Sequence, residues 1–305
     1  MVSNRSIVIN GDLGSGKSTA SVEIARRLGL RRVSIGDLYR KIAEERGMTA
    51  LQLNVHAELD EEIDRYVDQL QADIADSGEQ LVVDSRLAWH FFKDAFKVHL
   101  ITEPSVSARR VLGRPADDVE GYSSLQEAMA RLKQRSDSER GRFLSRYGVD
   151  KCRLRNYDIV CDSTRATPEQ IVEEVTRAYR SAQEHPSGHR PGPMLLLDPN
   201  RIYPTKAIGD SEVEADRDGP LKVAYDETVF YAVEGHARLS AAIRDGLALV
   251  PATLHAEGHE TVADGLDAME YLSVTAGPQV VDAWNEAHGV HLPPLEHLKD
   301  MSDQM

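Results

Sequence analysis

Short apolar runs alternate with longer segments of helical period along the first part of the chain. Residues 6–10, 32–35, 81–84, 98–102 and 157–161 are runs of four or five residues set between polar or glycine-containing stretches, which is the length and setting of buried strands. The intervening segments repeat their apolar positions every three to four residues, so the pattern predicts a parallel sheet with crossover helices. One such α/β domain is expected over residues 1–180. Between 181 and 193 three prolines and two glycines interrupt the pattern, and this segment reads as a linker that sustains neither helix nor interior strand. Beyond it, 194–197, 229–233 and 250–254 read as strands, 237–245 as a helix stopped by Gly246, and the chain from about Glu260 as a helical tail. A small α+β module over 194–305 is the expectation.

The junction after the first run carries the most specific chemistry. Gly11-Asp12-Leu13-Gly14-Ser15-Gly16-Lys17-Ser18 satisfies the phosphate-loop pattern in the strand, loop, helix setting that it requires. Gly11, Gly14 and Gly16 let the backbone wrap a phosphate, and the helix that starts near Ser15 to Thr19 offers its positive end. Lys17 neutralises the outer phosphates and Ser18 ligates magnesium. ATP and Mg2+ are therefore the expected cofactors. Asp84 ends the third run and is placed to complete the magnesium shell, although a strand-end carboxylate can equally cap a turn.

Phosphoryl transfer also needs positive charge around the moving group. At 100° per residue, Arg131, Arg135, Arg142 and Arg146 of the helical segment 125–147 fall within a stripe of about 60°. Leu125, Met129, Leu132, Phe143 and Tyr147 share a neighbouring stripe fit to pack on the domain. A helix of this kind suits a lid that closes its arginines on phosphates. The same stripe also suits a solvated charged face on which Asp137 and Glu139 satisfy some of the arginines. Arg110 and Arg114 precede it on the other arm of such a lid. Ser34 and Arg40 flank the end of the second run, where an α/β sheet carries function.

These segments, together with Asp84-Ser85-Arg86-Leu87-Ala88-Trp89, Arg146-Tyr147-Gly148-Val149-Asp150 and Tyr157-Asp158-Ile159-Val160, occur in an order that resembles the archaeal-type cytidylate kinases over the first 175 residues or so. The resemblance implies a P-loop NTPase parallel sheet with a helical lid. Ser34, Arg40 and Arg86 would then hold the acceptor monophosphate, Asp64 would help read its sugar or base, and Arg114, Arg131, Arg135 and Arg142 would be the lid cations. The chain departs from that family at Asp84-Ser85, where Glu-Gly is expected, at Pro115 after Arg114, and at Ser136 in place of an acid. These departures bear on the acceptor more than on ATP.

Residues 229–254 resemble the core of the ParB and sulfiredoxin superfamily, with Gly235-His236-Ala237-Arg238 at a strand-to-helix junction. The resemblance implies an anion pocket for a second nucleotide, built from the helix start with His236 and Arg238. The structural alternative is a capped helix with Arg238 paired on its surface. Sulfiredoxin chemistry would need a cysteine near this motif, and Cys152 and Cys161 both precede the module. His255 and His259 lack a third ligand and read as surface residues.

Composition narrows the choices. The 305 residues carry a formal net charge of −14, which disfavours DNA or any other polyanion as partner and leaves small anionic substrates in local basic pockets. No apolar run approaches the roughly 20 residues of a membrane span, and no signal pattern opens the chain, so a cytoplasmic protein without a membrane partner is expected. The oligomeric state is set by none of these features. Three functions fit: a kinase of a nucleoside monophosphate, CMP or dCMP; a kinase of another small metabolite, such as a modified nucleotide or a free amino acid; and a nucleotide-sensing regulator acting through the second module.

Overall fold

The computed structural model describes residues 5–48, 61–113, 122–185, 192–207 and 220–295. The chain divides into two units, one formed by 1–151 with 156–189 and the other by 152–155 with 190–305.

In the first unit β1 (Ile7–Gly11) leads into α1 (Lys17–Leu28), β2 (Arg31–Ser34), α2 (Ile35–Glu45), α3 (Glu61–Asp76), β3 (Leu81–Asp84) and the single turn α4 (Ala88–Phe91). Then come β4 (Phe96–Ile101), α5 (Pro104–Leu112), α6 (Leu125–Tyr147), β5 (Ile159–Asp162) and α7 (Pro168–Glu184). The strands lie in the order β2-β3-β1-β4-β5, and every pairing among them is parallel. Ile7, Val8, Ile9, Leu81, Val82, Val83 and Val98 are at most 1% exposed. A sheet covered on both faces demands such near-continuous apolar runs, which is why they were legible. The register aligns Ser34 with Asp84, Ile9 with Asp84 and Asn10 with His99, so these polar residues share the carboxyl edge of the sheet, where open α/β sheets bind ligands.

The longest helix, α6, spans the predicted segment. Ser124 caps its start by accepting from Glu127 N, and Gly148 ends it in a left-handed conformation with φ 66°. Ala128 and Leu132 of α6 pack with Ala108 and Val111 of α5, and Leu13 of the glycine-rich loop joins this cluster. The apolar stripe is narrower than expected, because Leu125 is 36% exposed while Phe143 and Leu132 are buried.

The second unit contains β6 (Met194–Leu197), β7 (Ile202–Tyr203), β8 (Lys222–Tyr225), β9 (Phe230–Glu234), α8 (His236–Arg244), β10 (Val250–Glu257), β11 (Thr261–Ala263), β12 (Leu266–Asp267), α9 (Ala268–Thr275) and α10 (Pro278–His288). Its mixed sheet runs β6-β10-β8-β9-β7, with β6 and β10 antiparallel, β8 and β10 parallel, and β8 and β9 antiparallel. Tyr231 and Trp284 anchor its interior. Segment 152–155 belongs to this unit, since the buried Glu257 carboxylate accepts from Leu154 N at 2.7 Å and Arg155 N at 3.2 Å.

Two expectations are corrected. Helix α7 runs to Glu184 and so takes the first four residues of the segment 181–193 read as linker, because the first breaker is Pro186 and a proline disfavours helix only from the residue before it. The tail is not helical from Glu260: β11 and β12 form a hairpin around Asp264 and Gly265, whose φ values are 53° and 77°. Asp-Gly supplies the two left-handed residues that such a two-residue turn requires, and helix begins only at Ala268.

Candidate active site

The loop after β1 is fixed by sterics at its glycines. A Cβ on Gly11 would sit 2.3 Å from Leu100 O, and one on Gly14 would sit 2.6 Å from Ser107 Oγ and 2.9 Å from Ser107 O. Gly16 takes φ 87° at the cap of α1, a conformation that side chains other than glycine rarely adopt. Asp12 N donates to Leu100 O at 2.8 Å, and Asp12 Oδ2 accepts from Thr102 N at 3.0 Å. Ser15 closes the turn by donating from N and Oγ to Asp12 O. The loop is thus tied to β4 and to itself before any phosphate enters.

Lys17 Nζ donates to Gly11 O at 2.7 Å and to Asp12 O at 2.9 Å. Burial, helped by the Arg86 charge, pushes Lys17 down to about 8 against the opposing pull of Asp84, Asp12 and Glu139. Ser18 and Thr19 are exposed on the first turn of α1. Ser18 Oγ donates to Asp84 Oδ2 at 3.0 Å. The same carboxylate oxygen accepts Arg32 Nη2 at 2.9 Å, so Asp84 is a buried carboxylate held by a serine and an arginine at the strand end. Two hard oxygens at this separation fit a small divalent cation.

Two clusters of cations stand at the carboxyl edge. Arg32 joins Asp84 to Asp37, and Asp37 pairs with Arg40. Ser34 Oγ accepts from Asp37 N at 3.2 Å and so caps α2. The second cluster centres on Glu139, whose side chain is 7% exposed. It receives Arg86, Arg135 at 3.5 Å and Lys151 at 3.2 Å. Burial alone would raise this carboxyl, but Arg86, Lys151 and Arg135 outweigh it and hold it at about 2.

The arginine stripe of α6 is therefore divided by its partners. Arg135 turns to Glu139, Arg146 to Asp68 at 3.4 Å, Arg142 lies 5.9 Å from the Phe143 ring centroid, and Arg131 is exposed. Asp137 pairs with Lys133 rather than with a stripe arginine. Arg110 faces the end of β5, donating to Ser163 O at 2.6 Å. Arg114 lies outside the described residues, as does the side chain of Asp64 on α3.

Three groups were not singled out from the sequence. Arg32 partners Asp84, Lys151 partners Glu139, and a buried triad of Asn10, His99 and Tyr157 lies behind the loop. Asn10 Nδ2 contacts His99 Nδ1 at 3.1 Å and donates to Tyr157 Oη, and the His99 ring stacks on Tyr157 with centroids 4.5 Å apart. Burial, with Lys17 and Lys151 nearby, pushes His99 down to about 3. The sequence signal was a histidine in the middle of an apolar strand.

In the second unit Gly235 has φ 87°, and a Cβ there would lie 2.7 Å from Leu221 Cα. His236 corrects the expectation of a phosphate contact: it is 1% exposed, and its Nε2 accepts from Thr205 N at 3.1 Å. The ring is turned inward, where Thr205 N and the edge of the Trp284 ring meet it. Arg238 is exposed. His255 and His259 do not form a shared site: His255 meets Val262 O, and His259 pairs with Asp267. Cys161 is buried, which pushes its thiol up. Among the described residues no helix is long and apolar enough to cross a membrane.

Comparison with known proteins places the first unit. A family profile described as AAA domain matches residues 7–148. The cytidylate kinase of Natronomonas pharaonis is 38% identical over 178 residues, covering 57% of this chain and 90% of that protein. The cytidylate kinase of Archaeoglobus fulgidus is 32% identical over 173 residues, covering 56% and 93%. An S-adenosylmethionine-dependent nucleotide dehydratase of Lacinutrix mariniflava is 32% identical over 178 residues, 58% of this chain and 36% of that protein. Matches at this identity across nearly the whole length of the two kinases establish the family. Through its first unit the chain belongs to the cytidylate kinase family of P-loop nucleotide kinases.

Proposed function

We propose that the protein transfers the γ-phosphoryl group of ATP, with Mg2+, to a nucleoside monophosphate, CMP or dCMP. The observation that carries this reading is the convergence of Lys17, Ser18 and Asp84 at one end of the sheet, with Arg86 beside Asp84 in the chain. Donor and acceptor groups would thereby meet on a rigid edge, and positioning with charge stabilisation is most of what phosphoryl transfer asks of a protein.

In this reading Gly11, Gly14, Ser15, Gly16 and Thr19 cradle the donor phosphates through the loop and the start of α1. Lys17 exchanges its two carbonyl acceptors for phosphate oxygens, a stronger charge-assisted pairing. Ser18 and Asp84 would hold Mg2+, which supplies charge neutralisation between the phosphates. Ser34, Arg40 and Arg86 orient the acceptor, while Arg131, Arg135, Arg142 and Arg114 bring positive charge to the transferring group. The attacking phosphate oxygen is already ionised at neutral pH, so no side chain need remove a proton from it.

The first alternative, a kinase for a modified nucleotide or another small metabolite, has one observation in its favour. A nucleotide dehydratase also contains a region similar to this one, so kinase units of this type occur beside nucleotide-modifying chemistry. The second unit would then tune or extend the activity, or sense a nucleotide at the α8 start with Gly235 and Arg238.

The test is ADP release from ATP and Mg2+ across CMP, dCMP, UMP, AMP, GMP and free serine, with wild type, Lys17→Ala and Arg238→Ala. Stimulation by CMP or dCMP that Lys17→Ala abolishes supports the reading. If no monophosphate raises turnover above the rate without acceptor, the reading fails. Loss of nucleotide binding in Arg238→Ala would locate a second site.

A further inference from the structure

The Ser85 hydroxyl has its bonds fixed on three sides. Its oxygen accepts from Leu87 N at 3.2 Å and from Ala88 N at 3.1 Å, which uses both lone pairs, and its proton goes to Gln71 Oε1 at 2.9 Å. The serine is itself anchored to the strand before the glycine-rich loop, since its N donates to Ile9 O at 3.2 Å. Because the hydroxyl can only donate on its third side, Gln71 must turn its oxygen to Ser85 and its nitrogen away. Gln71 is 3% exposed and Ser85 7%. Gln71 Nε2 nonetheless meets no protein acceptor among the described residues, and it is not sealed from solvent. Buried donors are normally paired, so a carboxamide held this firmly with its two N–H groups open calls for an acceptor from outside the chain.

The place of that amide decides what it meets. Ser85 stands between Asp84 and Arg86 in the chain, the residues assigned above to Mg2+ and to the acceptor phosphate. Asp68 lies three residues before Gln71, so the two share a face of α3. Asp68 accepts from Tyr147 Oη, and the Tyr147 ring stands 5.6 Å from that of His90. This face of α3 therefore meets aromatic rings and a buried neutral turn, surroundings that suit a heterocycle better than a phosphate. We propose that Gln71 is a specificity-determining residue that donates from Nε2 to the N3 and O2 edge of a cytosine in the acceptor. Cytosine presents acceptors at both positions, whereas uracil carries a hydrogen on N3 that faces the amide donors and leaves both sides unpaired. Ser85 stands where glycine was expected, and its hydroxyl is what fixes the direction of the amide. The inference rests on the kinase reading above and deepens it by naming the group that reads the base.

The experiment uses the full chain, as wild type, Gln71→Met, Ser85→Gly and the double variant Gln71→Met with Ser85→Ala, each first checked for an intact thermal transition. The readout is the ratio of kcat/KM for CMP to that for UMP. Wild type should favour CMP. Gln71→Met keeps the bulk and removes the donors, and should lower the ratio about 10- to 100-fold by raising the KM for CMP, while the ATP KM stays within about twofold. Ser85→Gly leaves the amide in place without its anchor and should lower the ratio less, by about three- to tenfold. Should Gln71→Met fail to fold, the double variant, which removes both partners of the hydrogen bond, takes its place with the same expectation. A merely structural pair would affect CMP and UMP alike, and an unchanged ratio overturns the proposal. Binding of CMP and UMP without ATP, measured calorimetrically on the same proteins, separates the two readings. If neither nucleotide is turned over but CMP binds more tightly than UMP and Gln71→Met abolishes the difference, the kinase reading fails and the role of Gln71 stands. Turnover of CMP with a preference that Gln71→Met leaves intact keeps the kinase reading and overturns the role of Gln71, as does a wild type that binds the two nucleotides equally or binds neither.

Discussion

Ser18 Oγ donates to Asp84 Oδ2 over 3.0 Å, joining the first turn of α1 to the end of β3, and Arg32 Nη2 reaches the same carboxylate oxygen over 2.9 Å. The arginine fixes the carboxylate so that its orientation does not depend on a metal. Asp84→Asn keeps the shape and the hydrogen-bond partner of Ser18 but removes the charge. It should weaken the apparent Mg2+ affinity by about 10- to 100-fold, the usual cost of an impaired metal shell. Magnesium titration of ADP release checks this, and an unchanged half-saturation would remove Asp84 from the site.

Lys17 gives the protein a pH limit on the alkaline side. Its folded value is lowered from 10.5 to about 8, first by burial. The lysine is therefore charged below that pH and loses its proton above it. For the free enzyme, kcat/KM for ATP should be level up to about pH 8 and then fall about tenfold per unit. Bound phosphates favour the charged lysine, so kcat should hold to higher pH than kcat/KM. Coincident alkaline limbs for the two parameters would show that the group responsible is not in contact with ATP.

The residues that were legible in the sequence are those whose geometry is local. Gly11 to Ser18 sit on one strand-to-helix turn, and α6 is framed by Ser124 and Gly148, so spacing alone predicts their place. Asp84 was legible because a charged residue closing an apolar run stands at a strand end. What the helical wheel could not tell was which neighbours would meet the α6 arginines: a stripe has an angle but no partner until the fold brings Arg86 and Lys151 to Glu139. The Asn10 and His99 pairing depends on strand register, which links residues 89 positions apart. The second unit was harder still. Strand β7 has two residues, too few for any periodicity, and the Asp264-Gly265 turn signal was present but was overridden by the helical pattern after it.

Gly235 is constrained twice, by φ 87° and by a Cβ position 2.7 Å from Leu221 Cα and 2.9 Å from Pro220 O. Gly246 has φ 68° with open space around its Cβ position. Gly246→Ala should cost about 1 kcal/mol from the left-handed backbone alone. Gly235→Ala must also move backbone, and should cost at least about 2 kcal/mol more than Gly246→Ala. Denaturant unfolding of both variants decides this. Equal losses would mean that the backbone at Pro220 and Leu221, just before β8, yields without resistance.

His99 should make the first unit sensitive to acid. Its folded value is about 3, set first by burial and then by Lys17 and Lys151, whereas an unfolded histidine titrates near 6.5. Between these two values the unfolded chain binds the proton and the folded chain does not, so stability is full above pH 6.5 and falls as the pH is lowered. The slope approaches about 1.4 kcal/mol per pH unit. Glu139, held at about 2 mainly by Arg86 and Lys151 against the cost of its burial, adds to the loss only below about pH 4.5, where an unfolded glutamate begins to protonate. The window from pH 6.5 to 4.5 therefore isolates the histidine. His99→Gln keeps an acceptor for Asn10 and removes the titration, so its stability should be flatter across that window than that of wild type. Taking the difference between the two proteins cancels the other histidines, including His259, which its pairing with Asp267 raises. Denaturant unfolding at half-unit intervals of pH gives both curves. Parallel curves would mean that His99 takes up its proton without unfolding, and that the Asn10, His99 and Tyr157 triad is open to water.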